Sequence, residues 1–313
     1  MKSKMKKLLF IFSYALSCMF INATAAENEP YLYTLGVTQD AGYPQTGCYE
    51  QHCMPGWENP LLKRGAVSLG VIDPKNNKKY MFEATPNFPE QFYQLERVAP
   101  SSRYSLAGIF ITHAHIGHYT GLMFLGHEAA GTSNTPVYAM PKMTQFLKGN
   151  GPWEQLVKYK NIQLMPLQHN QPEVLGQITV TPFLVPHRDE YSETVGYIIK
   201  GPNKSALFIP DINKWPQWET KLVDAIKAVD YALIDAAFYD DGELPGRDMS
   251  KIPHPFVAET MTELKDIDDT EKNKVWFIHM NHSNPLLNLE SKESQLVKSR
   301  GYNIAVEGLK LAL

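Results

Sequence analysis

Apolar runs of this sequence repeatedly end in a histidine or an aspartate. His113 follows "LAGIFIT", His187 follows "ITVTPFLVP", and Asp211 follows "SALFIP". Asp235 ends the run "YALID", and His279 follows "KVWFI". A rigid strand fixes the direction of the side chain at its end, and the loop beyond it admits a ligand. The pattern therefore predicts a layered α/β protein whose strand ends supply a metal-binding or catalytic site.

The order of the predicted elements narrows the fold. Several strand-like runs in each half of the chain are followed by amphipathic helical stretches such as "PEQFYQLERV" and "WETKLVDAIKAVD". The stretch "GLMFLGHEAAG" is predicted to be a helix closed by Gly131. The sequence has no repeat of solenoid length, no low-complexity tract and no linker. We expect one α/β domain over residues 26–313, with two mixed β-sheets packed face to face and helices outside.

Residues 1–25 have the pattern of a secretory signal peptide. The basic "MKSKMKK" precedes the apolar "LLFIFSYALSCMFI", and Ala23-Thr24-Ala25 has the small-x-small form of a cleavage site. The apolar stretch is short for a membrane span, which favours a cleaved signal over an anchor. Cys18 is a candidate lipoprotein site, but the residues before it match that motif poorly. We expect export to the periplasm or the medium, without stable membrane association.

The charge of the chain argues against nucleic acid as a partner. The sequence is 43% hydrophobic with a formal net charge of -3, and loss of the four lysines in residues 1–25 changes this charge to -7. No basic run follows the signal, so nothing would neutralise a phosphate backbone. We therefore expect a small-molecule substrate. The sequence does not indicate an oligomeric state.

The densest group of candidate ligands is in "ITHAHIGHYTG", which contains His113, His115 and His118. Side chains alternate along an extended segment, so His113 and His115 lie on one side and His118 reaches a neighbouring position. That geometry suits two adjacent metal ions. Imidazole and carboxylate ligands favour Zn²⁺, as one ion or two, and Fe or Mn would also accept them.

The chain order of these residues resembles the metallo-β-lactamase superfamily of metal-dependent hydrolases, whose members share an αββα sandwich. Three longer motifs, "QDAGYPQTGC", "HRDEYSETVGY" and "IHMNHSNPLL", resemble the branch of pyrroloquinoline quinone biosynthesis protein B and its phosphodiesterase-like relatives. The resemblance covers nearly all of the chain after the signal. The complete His-x-His pair resembles the hydrolases more than the quinone-pathway protein.

The resemblance implies a set of ligands for two metal ions, with Asp211 bridging them. The expected ligands are His113, His115 and His187 for the first ion, and His118 and His279 for the second. His282 is an alternative to His279, because either residue follows the last strand.

The resemblance also implies two catalytic residues, Asp211 and His254. His254 lies in "KIPHPFVAETM" and is predicted to open a helix. Phosphodiesterase-like members of the superfamily often have a histidine near such a helix. We therefore expect His254 to donate a proton to the leaving group.

Gly117 departs from the superfamily pattern, which has an aspartate at this position. That aspartate helps to bind the second metal and orients the attacking water, and glycine can do neither. Three alternatives remain open: a weak second metal site, a carboxylate that enters from elsewhere, or binding without hydrolysis. Asp40, Asp189 and Asp235 are the candidates for a compensating carboxylate.

Cys48 and Cys53, in "GCYEQHC", remain after cleavage of the signal. In an oxidising compartment they would form a disulfide, whereas with His52 and Glu50 they would hold a small structural zinc ion. Glu50 stands where the resembling branch has a third cysteine, which weakens the zinc interpretation. Both alternatives remain open.

These features together predict an exported enzyme that uses metal-activated water to hydrolyse a small ester, phosphodiester or amide. The first alternative is a role in quinone-cofactor biosynthesis like that of protein B. Export argues against it, because such pathways usually begin in the cytoplasm. The second alternative is a non-catalytic metal-binding or ligand-binding protein, and Gly117 is its main support.

Overall fold

The computed structural model describes residues 28–313, so the predicted signal peptide lies outside the described residues. In that range the strands are β1 (Tyr31–Gly36), β2 (Ser68–Asp73), β3 (Lys78–Phe82), β4 (Ser105–Phe110), β5 (Thr135–Ala139), β6 (Ile162–Pro166), β7 (Glu173–Leu175), β8 (Ile178–Leu184), β9 (Val195–Lys200), β10 (Ser205–Ile209), β11 (Tyr231–Asp235), β12 (Val275–Ile278), β13 (Asn303–Ile304) and β14 (Lys310–Ala312). The α-helices are α1 (Met54–Glu58), α2 (Phe88–Val98), α3 (Ile116–Tyr119), α4 (Pro141–Gly149), α5 (Trp153–Lys158), α6 (Leu222–Lys227), α7 (Val257–Glu263), α8 (Asp269–Lys272) and α9 (Lys292–Ser299).

The strands form two seven-stranded sheets, in the orders β14-β1-β2-β3-β4-β5-β6 and β13-β12-β11-β10-β9-β8-β7. In the first sheet β1 to β3 are antiparallel neighbours and β3 to β6 run parallel. In the second sheet β8 to β10 are antiparallel neighbours and β10 to β13 run parallel. Both sheets are mixed, which confirms the expected α/β sandwich.

Apolar side chains from both sheets form one buried cluster between them. Phe82 of β3 contacts Tyr197 of β9 and Phe208 of β10, with ring centroids 5.3 and 6.3 Å apart. Each fully buried side chain of this kind contributes about 1.5–3 kcal/mol through removal of apolar area from water. These aromatic contacts hold the two sheets face to face.

A second apolar cluster covers the other face of the first sheet. Helix α2 contributes Phe88 and Leu95 to this cluster, and the buried Gln91 lies on the same helix face because the spacing is three and four. Leu147 of α4 joins the same cluster. These helices therefore form an outer layer on the first sheet.

The stretch after α3 is not the α-helix that the sequence predicted. Residues Thr120–Leu125 form a 3₁₀-helix, and a bend and turns follow as far as Ala130. Gly121 N donates to Ala84 O at 2.8 Å, so this backbone amide is used in a tertiary contact. A Cβ at Gly121 would also overlap Thr85 O. Close packing on the segment after β3 therefore overrides the helical pattern.

The parallel parts of the two sheets determine where a site forms. Neighbouring parallel strands end at the same edge, so β3 to β5 and β10 to β12 each present their carboxyl ends together. None of the helices within residues 28–313 is long and apolar enough to cross a bilayer.

Candidate metal centre

The strand ends bring the expected site residues together at one edge of the sandwich. β4 ends at Phe110, shortly before the histidine cluster, and β10 ends two residues before Asp211. Asp235 is the last residue of β11, and His279 follows the last residue of β12. The groups with converging ligand atoms are His113, His115, His187 and Asp211; Asp211, Asp235, His254 and His279; and Asp40, His118 and His279.

The first group has the dimensions of a single ion site. His113 Nε2 is 2.8 Å from His115 Nδ1 and 3.4 Å from Asp211 Oδ2. His187 Nε2 is 3.2 Å from Asp211 Oδ1. Ligand atoms at about 2.0–2.2 Å from a tetrahedral zinc ion are separated by roughly 3.3 Å. The four side chains therefore fit one such ion.

Each histidine of the first group is held through its other ring nitrogen, which fixes the direction of the free nitrogen. The contacts are His113 Nδ1 with Thr112 Oγ1 at 2.8 Å, His115 Nε2 with Glu190 Oε2 at 3.0 Å, and His187 Nδ1 with Asn213 Oδ1 at 3.3 Å.

The second position lies beside the first and shares Asp211 with it. His118 Nε2 is 3.7 Å from Asp211 Oδ2 and 3.8 Å from Asp40 Oδ1. The His118 and His279 rings are 5.5 Å apart between centroids. Two adjacent ligand groups around one carboxylate are the arrangement expected of a two-metal centre.

Buried polar atoms point into both positions without hydrogen bonds. Nε2 of His118, His187 and His279 and Oδ1 of Asp211 make no hydrogen bond within the described range 28–313, although His187 Nε2 and Asp211 Oδ1 lie 3.2 Å apart. A buried polar atom without a hydrogen bond lowers the stability of the fold by roughly 1–3 kcal/mol. Binding of a cation would remove this cost. Imidazole nitrogens around a shared carboxylate fit zinc or a similar divalent cation.

Electrostatics in the first group favour the protonation states that bind metal. Burial lowers the pKa of His113 well below its usual value, and the neighbouring His118 adds to this effect. Burial alone would raise the pKa of Asp211, but His187 and His254 hold it well below its usual value. A neutral imidazole and an ionised carboxylate are the forms that coordinate a cation.

His254 lies next to the shared carboxylate. Its Nδ1 is 2.8 Å from Asp235 Oδ2 and 3.3 Å from Asp211 Oδ1. Burial opposes protonation of His254, but Asp235 and Asp211 raise its pKa to about 9. Helix α7 begins at Val257, so His254 lies in the loop before the helix and does not open it as predicted. The loop still places the His254 imidazole between the carboxylates of Asp211 and Asp235.

Asp235 is fixed by backbone contacts. Its Oδ2 accepts a hydrogen bond from Ile212 N at 3.1 Å, and its Oδ1 accepts one from Ala237 N at 2.9 Å. Since Asp235 is fully buried and also contacts His254, its position orients that imidazole. Asp235 additionally lies 3.5 Å from His279 Nδ1.

Glu83 is a site residue that the sequence analysis missed. It is fully buried directly after β3, and its φ is 74°. Its Oε1 is 3.4 Å from His118 Nδ1, and its Oε2 accepts a hydrogen bond from Thr112 N at 3.3 Å. Burial would lower the pKa of His118, but Glu83 is the first of the carboxylates that raise it to about 9. Glu83 also follows an apolar run, in "KKYMFEA", so the search for polar residues at strand ends would have identified it.

His282 lies in a different group from His279. One ligand atom from each of Cys48, His52, Cys53 and His282 lies within 4.8 Å of the others. Cys48 and Cys53 are joined by a disulfide, and the His52 and His282 rings are 5.6 Å apart. The structure therefore brings His279, rather than His282, to Asp211.

Asp189 does not belong to the converging ligand groups of residues 28–313. Its Oδ1 accepts a hydrogen bond from Thr194 Oγ1 at 2.8 Å. It lines a separate cavity of about 590 Å³ together with Phe183 and Trp218. Of the candidate carboxylates, only Asp189 belongs to none of the ligand groups within residues 28–313.

The sandwich and the groups of histidine and aspartate at its strand ends are typical of metal-binding α/β proteins. Residues 78–280 match the beta-lactamase superfamily domain, and the chain belongs to that family. Coenzyme PQQ synthesis protein B from Nitrosococcus oceani is 23% identical over 316 residues, which cover 90% of this chain and 99% of that protein. The protein of the same name from Methylorubrum extorquens is 22% identical over 309 residues, with 90% and 100% coverage.

Solved structures agree on the fold. Zn(2+)-bound PqqB from Methylobacterium extorquens has a TM-score of 0.76 at 22% identity, covering 90% of this chain and all of that chain (100%). A diphosphatase from the PhnP family has a TM-score of 0.62 at 20% identity, with 91% and 97% coverage.

Proposed function

We propose that this chain is an exported metal-dependent hydrolase of a small ester, phosphodiester or amide, with zinc as its metal. The observation that supports this function best is the convergence of His113, His115, His187 and Asp211 on one position beside His254. Structural metal sites are closed, whereas a hydrolytic centre also needs a proton donor and a place for substrate. Access from solvent is supported by Ile116, which follows His115 and is 70% exposed.

The side chains have separate roles in this proposal. A divalent cation bound here would lower the pKa of water to about 7 and polarise a substrate oxygen. The imidazoles of His113, His115 and His187 would hold the cation at the first position. Asp211 lies close enough to the ligands of both positions to serve both. His254, oriented by Asp235, delivers a proton to the leaving group.

Among the three substrate classes, the geometry favours a phosphodiester. Asp211 belongs to the first ligand group and also lies 3.7 Å from His118 of the second, and two metals held there would stabilise both the attacking and the leaving oxygen of a phosphoryl group. A diphosphatase among the proteins of similar fold supports a phosphoryl substrate more broadly, since a diphosphate is an anhydride rather than a diester.

A panel of chromogenic substrates tests the proposal: nitrophenyl esters, bis-nitrophenyl phosphate and a β-lactam, each with the zinc-loaded protein. We expect turnover of the phosphodiester and its loss in His113→Ala. His127→Ala is the matched control, because the His127 ring packs on Tyr159 at 4.8 Å and lies outside the ligand groups. Tight metal binding without turnover of any substrate would favour the binding-protein alternative.

The likeness to coenzyme PQQ synthesis protein B supports a second candidate, a role in quinone-cofactor biosynthesis. The likeness extends over 90% of this chain. A version without residues 1–25 that restores quinone formation in a bacterium lacking its own protein B would favour this candidate.

Export is part of the first proposal and rests on the sequence of residues 1–25. Cell fractionation and the mass of the purified protein test it together. We expect the protein outside the cytoplasm with Ala26 as its first residue. A full-length chain recovered from the cytoplasm would contradict export and would favour the biosynthetic role.

A further inference from the structure

We infer that Asp40 supplies the second-metal carboxylate that Gly117 cannot provide, and that Gly117 is required because Asp40 occupies the space of a side chain there. This inference rests on the two-metal centre of the proposed function, but it does not depend on turnover. It assigns a metal-binding role to the loop after β1, which is distant in sequence from the histidine cluster.

The space beside Gly117 is filled by Asp40. A Cβ built on Gly117 would overlap Asp40 Cα, and it would lie 2.7 Å from Asp40 Oδ1 and 3.0 Å from Asp40 O. Real Cβ atoms do not approach backbone atoms this closely, so an aspartate at position 117 cannot coexist with the present loop. Glycine at position 117 and the aspartate at position 40 are therefore parts of one arrangement.

Backbone contacts hold the loop of Asp40 against the segment that carries His279. Met280 N donates to Val37 O at 2.9 Å, and Gln39 N donates to Met280 O at 2.8 Å. Asp40 itself has a φ of 36°, in the left-handed region that few side chains adopt. Such strain concentrates at functional sites, and the Asp40 carboxylate lies beside the second position, 3.8 Å from His118 Nε2.

The Asp40 carboxylate is available as a ligand. Its Oδ1 lies 3.8 Å from His118 Nε2, and one ligand atom from each of Asp40, His118 and His279 lies within 4.8 Å of the others. Nε2 of His118 and of His279 has no hydrogen bond within residues 28–313. Two buried imidazoles with free Nε2 atoms and one carboxylate therefore converge on the second position.

The rival carboxylates are already engaged. Asp189 accepts from Thr194 and lies outside the ligand groups of the described chain. Asp235 belongs to a ligand group, but its two oxygens already accept from backbone amides and contact His254. A carboxylate that accepts these bonds would have to give them up to bind a cation. Binding of a cation by Asp40 would not require the loss of such hydrogen bonds.

Metal stoichiometry tests the inference. The mature protein is loaded with Zn²⁺ and dialysed, and the number of zinc ions per chain is measured. Competition with a chromogenic chelator then gives the affinity of each binding step. We expect two ions in the parent and one in Asp40→Asn, with the first binding step unchanged. Loss of a residue that only hydrogen-bonds to a metal ligand weakens metal binding by about 10–100-fold. We expect the loss of a direct ligand to weaken it more. Asp189→Asn is the matched control and should retain both ions.

The outcomes separate this inference from the proposed function. Two ions bound equally tightly in Asp40→Asn would overturn the role of Asp40. A single ion in the parent, bound with turnover, would also overturn it while leaving the hydrolase intact. Gly117→Ala gives a second measurement, because the added Cβ displaces Asp40 without removing a ligand. We expect the second binding step to weaken in Gly117→Ala and the first to persist.

Discussion

Nδ1 of His254 lies 2.8 Å from Oδ2 of Asp235, and both side chains are buried. The pair resembles the imidazole–carboxylate pairs that hold a histidine in one orientation for proton transfer. Asp235 cannot turn away, since backbone amides on both of its oxygens fix it. A histidine so held has a defined direction in which to deliver its proton.

The role of His254 predicts a dependence on the leaving group. In His254→Ala we expect a loss of about 100-fold or more for a phosphodiester with an alkyl leaving group, because proton donation contributes about 10²–10⁴-fold. With nitrophenol, which leaves without a proton, the loss should be small. Rates for both substrates, with zinc content measured in parallel, check this. Equal losses for the two leaving groups would exclude proton donation.

The contact of Glu83 with His118 predicts that Glu83 affects metal binding without being a ligand. Its Oε1 lies 3.4 Å from His118 Nδ1, on the side of the ring away from Asp211 and Asp40. Glu83→Gln removes the charge that supports this imidazole, and we expect the second zinc to bind about 10–100-fold more weakly. Chelator competition measures the change. Glu90→Gln on the exposed side of α2 is the control and should bind zinc as the parent does.

Much of the site was predictable because strand ends are recognisable in the sequence. His113, His187, Asp211 and His279 each follow an apolar run, and the structure places all of them at one edge. The same rule would have found Glu83, had it been applied to β3 as well. Periodicity also identified α2 correctly, since its buried face follows the helical repeat.

Contacts between distant segments were not predictable. The close approach of Asp40 to Gly117 depends on a loop held by Met280, and no local pattern encodes it. The helix expected up to Gly131 fails for the same reason, because Gly121 packs on the chain after β3. His282 and His279 likewise belong to different ligand groups, although both follow β12.

Metal removal should destabilise the protein. Buried polar atoms of His118, His187, His279 and Asp211 make no hydrogen bond to any residue that the structure describes, and a cation satisfies them. At a free zinc concentration 100 times the dissociation constant, binding adds about 2.7 kcal/mol to the free energy of unfolding. We expect a chelator to lower the melting temperature and zinc to restore it. His113→Ala should respond less than the parent, whereas His127→Ala should respond equally.

The two interpretations of Cys48 and Cys53 can be separated by alkylation. Their sulfur atoms are joined in the structure, so an alkylating agent should add no mass to the mature protein unfolded without a reductant. After reduction it should add two groups. Two groups before reduction, together with a third zinc ion per chain, would instead support a zinc site with His52 and His282.

Glu243 predicts a dependence of stability on pH. Burial raises its pKa from 4.5 to about 7, although hydrogen bonds from Ser283 and Tyr239 N oppose the shift. The folded state therefore binds this proton more tightly than the unfolded state. The resulting stability is fully present below pH 4.5 and is lost as pH rises through about 7. The shift corresponds to at most about 3 kcal/mol.

Glu243→Gln removes this dependence, because glutamine stays neutral while keeping a similar shape. Relative to the parent, we expect the variant to gain free energy of unfolding between pH 5 and pH 8, by up to about 3 kcal/mol. Urea denaturation at the two pH values measures the gain. Asp241→Asn changes an exposed carboxylate of the same loop and should show no comparable gain. If the free energies of unfolding of the parent and Glu243→Gln differ by the same amount at both pH values, Glu243 has the same pKa in the folded and unfolded states.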